Sequence, residues 1–520
     1  MIVVTPQQMR EIDARAIRKY KISGLTLMEN AGRAVAEQAE AMLGAGGLGD
    51  QRSICVVCGK GNNGGDGFAA ARMLAENGFQ VSVFLLGRIN DVKGDALTNA
   101  KKLGKSGLKV REIVSAAGLT SLKKDLAGSH LVIDAIFGTG FKGPIGKNIA
   151  SAMDLINASG RPVLSADIPS GVDGETGQVS SCAIRSDVTV TMGLLKTGLL
   201  FHPGKMLAGK TIIADIGFPA KAIEEQKIAV RLAEHSIVKD WLPARKPDAH
   251  KGSCGTVLVL AGSAGMTGAA SLVSLSAMRS GAGLVYLGIP DSLNDIMEAK
   301  LTEVITKPLP ETRNRTLSLS SLDRIFKLMA KADSLAIGPG LSAHPETAEL
   351  VQLVIRSSNL PAVLDADGLN AFASRPELLR SAASLIMTPH YGELSRLLKA
   401  DIPQIKSQPL KYALEAAKKF NQIIILKGAP TVTALPDGRA WINPTGNSGM
   451  ATAGVGDVLA GLIGGLLAQG LAPERAAVLG AYLHGLAGDL AAEDKTEYCL
   501  LAGDIIEHLP RAFKKIMEDT

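Results

Sequence analysis

The stretch Asn443–Leu467, NPTGNSGMATAGVGDVLAGLIGGLL, constrains this chain more than any other. Its glycines let backbone N–H groups come close to an anion, and the apolar run that begins at Asp457 reads as a helix. The unpaired donors and dipole at the start of such a helix favour negative charge. A phosphate is the guest that this loop would accept. Asp457 would be repelled by that phosphate unless it had chemistry to do. If the guest transfers its terminal phosphoryl group, the carboxylate can take the proton of the attacking hydroxyl while the N–H groups carry the developing charge. The plainer reading is a helix cap, for which Asp and Gly are favoured. A cap needs neither this much glycine nor the long polar loop before it.

A chain of 520 residues exceeds one usual core, so two domains are expected. Strand-like runs alternate with helical patterns in both halves, which predicts an α/β protein with a break between 219 and 245. The expected division is 1–225, a linker or lead-in at 226–245, and 246–520. A formal charge of +6 is small for this length, and no basic run is interleaved with aromatics, which argues against nucleic acid. Five thinly spread cysteines argue for a reducing compartment. Cys55 and Cys58 form a CxxC, but within a strand residues three apart face opposite ways, so no redox or metal pair is expected. The N-terminus lacks the pattern of a secretory signal, and no apolar segment suits a membrane span. A cytoplasmic protein is the expectation.

In the first half, the strand Ser53–Val57 runs into GKGNNGGDGF, the same grammar of strand, glycine turn, Asp and helix. This is neither GxGxxG nor GxxxxGK[ST], so neither named phosphate motif applies. Asn62 and Asn63 carry amides suited to a sugar, a phosphate or a cation. Two further strands end in polar residues: LVIDAIFGTGFKGPI brings Asp134, and VLSADIPSGVD brings Asp167, Ser170 and Asp173. Doubly wound sheets bind ligands at such strand ends. Asn63, Asp134 and Ser170 offer oxygens to a monovalent cation, and Asp167 is a candidate proton acceptor; each Asp could instead satisfy turn amides. Lys196 is expected to approach an anionic ligand.

In the second half, Gly262, Met266, Gly268 and Ala269 suit either a flat pocket wall or close helix packing. Gly338 and Gly340 end one strand, and Asp365 and Asp367 end the next. TPHYGE places His390 and Glu393 on an exposed turn, with His390 against the ligand. Lys427 and Gly428 follow the strand QIIIL and face a nucleotide phosphate. His484 is expected in the core or at an interface.

Together these motifs carry a resemblance. Gly454-Val455-Gly456-Asp457 resembles the GxGD loop of the ribokinase-like superfamily. KGSCGTVLVLAGSAGMTGAA, AIGPGL, DADGLNA, TPHYGE, LKG and NSGMATAGVGDVLAG are similar to the dehydratase acting on hydrated NADH and NADPH. GKGNNGGDGF, DAIFGTGFKG and DIPSGVDGETG are similar to its partner epimerase. In this order, over nearly the whole chain, they resemble the family of bifunctional NAD(P)H-hydrate repair enzymes.

The resemblance implies an N-terminal Rossmann-like three-layer sandwich and a C-terminal ribokinase-like α/β/α domain. The first would interconvert the R and S hydrates, NADHX and NADPHX. Asn62, Asn63, Gly64, Gly65 and Asp66 would line its substrate, together with Gly138, Thr139, Gly140, Phe141, Lys142, Gly143 and Pro144. Asp167 would handle the proton, and Asn63, Asp134 and Ser170 would bind K+. The second would dehydrate the S form, consuming ADP to AMP and phosphate. Asp457 would be its base, with Ala269, Gly340 and His390 around the hydrated ring. Lys427, Gly428, Ala429, Pro430 and Thr431, with Gly454 and Gly456, would hold the nucleotide. Mg2+ is expected with the donor phosphates, and homo-oligomerisation rests on analogy alone. The alternative is a small-molecule kinase with an accessory N-terminal binding domain, which the GVGD loop by itself does not exclude.

Overall fold

The computed structural model describes residues 1–44, 52–141 and 143–518. The chain divides into two compact units, Ile2–Ile228 and Ala229–Thr520.

The first unit is built on a parallel sheet of seven strands: β1 Ser53–Cys58, β2 Gln80–Leu85, β3 Val110–Glu112, β4 Leu131–Ala135, β5 Val163–Ala166, β6 Val188–Met192 and β7 Lys210–Ala214, in the order β3-β2-β1-β4-β5-β6-β7. The central strands are buried on both faces, which explains their unbroken apolar sequences. Alternation along β1 sends Cys55 and Val57 into one core cluster and Ile54, Val56 and Cys58 into another. The two thiols therefore stand on opposite sheet faces, and both are free. Burial pushes the Cys55 thiol up to about 12, so it is inert as a nucleophile.

The strand order reverses between β1 and β4, and a doubly wound sheet opens its ligand crevice at such a reversal. The helix Pro6–Arg18 borders this crevice. Thr5 and Gln8 start it with a reciprocal capping box, and Met9, Ile12 and Ala16 form its buried stripe. Gly59 closes the turn after β1, where an added Cβ would collide with the carbonyl of Ile136, so only glycine lets the two strand ends come this close. Glu29 pairs with Arg72 and Lys102 at 2.6 Å each.

The second unit holds ten strands: β8 Val230–Leu232, β9 Thr256–Leu260, β10 Leu284–Pro290, β11 Ile305–Leu309, β12 Ser334–Ile337, β13 Ala362–Leu364, β14 Leu385–Met387, β15 Ile423–Leu426, β16 Val432–Ala434 and β17 Ala440–Ile442. Their order is β8-β17-β16-β15-β14-β13-β12-β9-β10-β11. Only β16 runs antiparallel to its neighbours. Residues 226–245, read from sequence as a lead-in, contain β8 and the short helix His235–Lys239 of this unit. Here the order reverses between β9 and β12.

The helix Val455–Ala468 is buried along nearly its whole length and packs on the helix Thr267–Arg279. The contact is so close that a Cβ on Gly461 would run into Ser276, and one on Gly465 would run into Ser280 and lie 2.7 Å from the Ala277 carbonyl. The second half of this glycine stretch thus serves helix packing. Gly465→Ala is expected to destabilise this unit by about 1–3 kcal/mol through overpacking, measured as a lowered urea midpoint with an unchanged slope. No described helix is long and apolar enough to cross a membrane.

Candidate functional sites

In the first unit the crevice is a cavity of about 580 Å³ whose wall includes Asn62, Asn63, Asp66, Gly138, Phe141 and Asp167. Phe137 and Phe141 stack beside it at 4.0 Å between centroids, a flat apolar surface suited to a ring. Asn63 is only 8% exposed, yet neither its Oδ1 nor its Nδ2 has a partner. An added Cβ at Gly138 would fall 2.9 Å from Asp167 Oδ2 and 3.2 Å from Asn63 Oδ1, so both groups border the same spot. Lys142 lies outside the described residues.

Asp167 follows β5 in the left-handed region, at φ +69°. Its Oδ2 accepts the Thr139 N–H at 2.9 Å, and its Oδ1 lies 2.7 Å from Lys196 Nζ. Lys196 is fully buried and also donates to Thr191 Oγ1 at 3.0 Å and the Met192 carbonyl at 2.6 Å. Burial alone would raise the Asp167 pKa, but the Lys196 ammonium and these donors hold it below its ordinary value. The anion that Lys196 meets is therefore a residue of the chain itself. Asp66 goes the other way: burial, then the nearby charges of Asp167 and Asp13, raise its carboxyl well above the usual range.

Asp134 is fully buried. Its oxygens accept Ser170 Oγ at 2.6 Å, Ser165 Oγ at 2.7 Å, Ser170 N at 2.9 Å and Ile136 N at 3.2 Å. Burial raises its pKa, and these donors oppose the shift. The described residues hold no group of three or more His, Cys, Asp or Glu suited to a metal.

In the second unit, Gly454 turns the chain at φ +88° and the helix Val455–Ala468 begins. Its first hydrogen bond runs from Val458 N to Gly454 O, so the N–H groups before it face outward. His484 is 8% exposed and lies 2.9 Å from the Val455 carbonyl. Burial lowers its pKa to about 4, so it is a neutral anchor for the helix start. The polar loop before GVGD has other work. Asn443 and Thr445 donate to carbonyls of Ala481 and Tyr482, and Asp489 accepts Gly446 N and Asn447 Nδ2. These bonds fasten the loop to the helix Pro473–Lys495.

Lys427, at the end of β15, reaches across to this helix start. Its Nζ is 2.7 Å from Asp365 Oδ1 and 3.9 Å from Glu393 Oε2, and a Cβ at Gly456 would lie 3.1 Å from it. Burial works against its charge, but Asp365 and then Glu393 hold its pKa above the ordinary value. Asp457 stands in the helix's first turn. Burial and the charge of Asp365 push its carboxyl up to about 7, against the pull of Lys427.

The turn TPHYGE differs from expectation. His390 is exposed, but Glu393 is buried at 5% because its carboxylate faces Lys427 and accepts the His390 N–H at 2.8 Å. His390 Nδ1 accepts from Gly392 N at 2.9 Å and Glu393 N at 3.2 Å, capping the helix Tyr391–Leu398. Only Nε2 is left to meet a ligand, and it lies 3.4 Å from Glu393 Oε1. Gly340, at φ +64°, packs on Ala269: a Cβ there would be 3.1 Å from Ala269 Cβ. Gly428 is kept bare by the Tyr391 hydroxyl, while Thr431 Oγ1 donates to the Gly428 carbonyl at 3.2 Å across Ala429 and Pro430.

Sequence reasoning singled out Lys196, Asp365 and Glu393 but missed the partners they take. Lys196 counters Asp167, Asp365 holds Lys427, and Glu393 backs both Lys427 and His390. The signal for Lys196 was the KTG that begins four residues past the end of β6, the strand next to β5.

These features define a two-domain α/β protein, Rossmann-like at its N-terminus and ribokinase-like at its C-terminus, each sheet with a reversal of strand order. A family model described as NAD(P)H-hydrate dehydratase matches residues 257–511, and one described as YjeF-related protein N-terminus matches residues 24–198. The bifunctional NAD(P)H-hydrate repair enzyme of Moorella thermoacetica is 43% identical, covering 100% of this chain and 98% of that protein. Its counterpart in Thermofilum pendens is 39% identical, covering 100% and 97%. A solved structure of the ADP/ATP-dependent NAD(P)H-hydrate dehydratase from Bacillus subtilis, co-crystallized with ATP/Mg2+, is 33% identical; the match covers 55% of this chain and 99% of that one, with a TM-score of 0.48. The chain belongs to the family of bifunctional NAD(P)H-hydrate repair enzymes.

Proposed function

We propose that this protein repairs hydrated nicotinamide cofactors: its first domain interconverts the R and S forms of NADHX and NADPHX, and its second dehydrates the S form with ADP. The observation that carries the second step is Asp457, poised near neutral pKa beside outward-facing helix N–H groups and the Lys427 ammonium. Asp457 takes the proton of the ring hydroxyl, whose oxygen attacks the terminal phosphorus of ADP. The bridging P–O bond breaks and AMP departs. Hydroxide is a poor leaving group and phosphate a good one, so the ring nitrogen pushes out phosphate, and loss of a neighbouring C–H proton restores NAD(P)H. The first-turn N–H groups and Lys427 bear the phosphate charge, while Gly340, Ala269 and the Nε2 of His390 face the hydrated ring.

Magnesium would accompany the donor phosphates and neutralise their charge. With no three-member acidic or imidazole cage among the described residues, phosphate and water oxygens would make up most of its shell. In the first domain Asn63, Asp134 and Ser170 offer hard oxygens to K+. The unpartnered, buried Asn63 Oδ1 fits a cation best, and the ion would supply fixed positive charge.

A base must be ionised to work, so the ADP-dependent rate rises with pH through about 7 as Asp457 loses its proton. Asp365→Asn removes a negative neighbour and moves this limb to lower pH. Lys427→Met removes a positive one and moves it to higher pH. Rates of NADH appearance between pH 5.5 and 9 test both signs; a limb that stays put in both variants would remove Asp457 from the role of base.

A further inference from the structure

We propose that the Asp66 carboxyl is a second catalytic residue of the first domain, the proton donor that works against Asp167. The inference rests on the reading of this domain as an epimerase and goes beyond it by assigning the other half of the proton traffic. Asp66 lines the same cavity as Asp167, in the second turn of the helix Asn62–Glu76. No hydrogen bond or ion pair among the described residues ends on its side chain. The cation that could have served it is taken, since Lys196 is held 2.7 Å from Asp167. The groups facing it are acidic on balance: Asp13 from the helix Pro6–Arg18, Asp95 from the helix Gly94–Lys105 and Asp167, with Arg10 and Lys60 elsewhere on the wall. Glu29, from the helix Gly24–Gly44, is spent on Arg72 and Lys102. An unpartnered carboxyl in such company keeps its proton, while Asp167, clamped by an ammonium, gives its proton up. Two carboxyls driven to opposite protonation states in one cavity are an acid and a base. The unpartnered Asn63 amide beside Asp167 marks the same spot as built for a ligand.

The step these groups fit is reversible opening of the hydrated ring. Asp167 takes the proton of the ring hydroxyl and the C–O bond becomes a carbonyl. The bond from that carbon to the ring nitrogen breaks, its electron pair passes to nitrogen, and Asp66 protonates the nitrogen. The aldehyde turns about its single bond and the nitrogen attacks its other face. The N–H proton returns to Asp66, and the oxygen takes its proton back from Asp167. Nothing is oxidised or reduced, and no co-reactant is consumed.

The test uses the full-length protein with R-enriched NADHX, K+ and no ADP, and follows conversion to the S form against pH, in ordinary and in ¹⁸O-labelled water. Wild type is expected to slow as pH rises and Asp66 ionises, without taking up solvent oxygen at each turnover. Asp66→Asn is expected to lose about 100-fold or more in kcat, with substrate Kd changed less than about threefold and ADP-dependent dehydration of the S form intact. Asp66→Glu, which keeps an acid, should retain part of the rate and the alkaline limb. Unchanged kcat in Asp66→Asn, a loss confined to KM, an Asp66→Glu variant without the alkaline limb, or one solvent oxygen entering per epimerisation would overturn the proposal. A wild-type protein that does not epimerise at all would instead overturn the reading of the domain.

Discussion

Asp457→Asn is expected to lower ADP-dependent recovery of NADH by about 10²–10⁴-fold in kcat, the range for loss of a general base, while R-to-S exchange continues at the wild-type rate. The amide keeps the shape of the carboxylate and can still start the helix, so folding should hold. It cannot take the proton of the ring hydroxyl. It also removes one of the negative charges around Lys427, so nucleotide binding should not weaken. Single-turnover measurement of NADH formation, with nucleotide affinity determined separately, distinguishes a lost base from a lost phosphate site. A variant that dehydrates normally, or loses only nucleotide affinity, would contradict the role given to Asp457.

Asp167→Asn is expected to abolish epimerisation and to destabilise the first domain as well. Lys196 is fully buried, and the substitution leaves its ammonium without a counter-charge. Breaking one side of a buried pair costs about 3–5 kcal/mol. The double variant Asp167→Asn/Lys196→Met removes both charges and should recover most of that stability while epimerisation stays absent. Denaturant unfolding beside epimer analysis separates the two effects. Epimerisation returning together with stability in the double variant would make Asp167 a structural residue only.

The parts of this account that were legible in sequence are those written locally. A strand, a glycine turn and a helix do follow one another after Ser53, though the helix starts at Asn62 and so takes in Gly64, Gly65 and Asp66, and a helix does begin at the GVGD loop; period-two alternation was enough to separate Cys55 from Cys58. Partnerships between distant segments were not legible. Glu393 sits in a polar turn and reads as exposed; it is buried because Lys427 arrives from β15, a strand far along the chain. Lys196 looked free for a ligand because its partner lies at the end of a neighbouring strand. The loop Asn443–Asn447 reads as ligand-binding, and its side chains are taken by the helix Pro473–Lys495, which follows it. Glycine alone also does not tell a phosphate turn from a close helix crossing, and Gly461 and Gly465 serve the second.

Two sites of opposite chemistry are expected to act in turn on one damaged cofactor. The measurement that tests this most directly gives the full-length protein a mixture of R and S NADHX, with K+ and Mg2+, with and without ADP, and follows NADH absorbance together with epimer composition. With ADP, both epimers should be consumed and NADH recovered in full, with one AMP and one phosphate formed per NADH; without it, the epimers should equilibrate and no NADH should appear. A stable phosphorylated product without NADH, or an R form left behind after the S form is gone, would contradict the account.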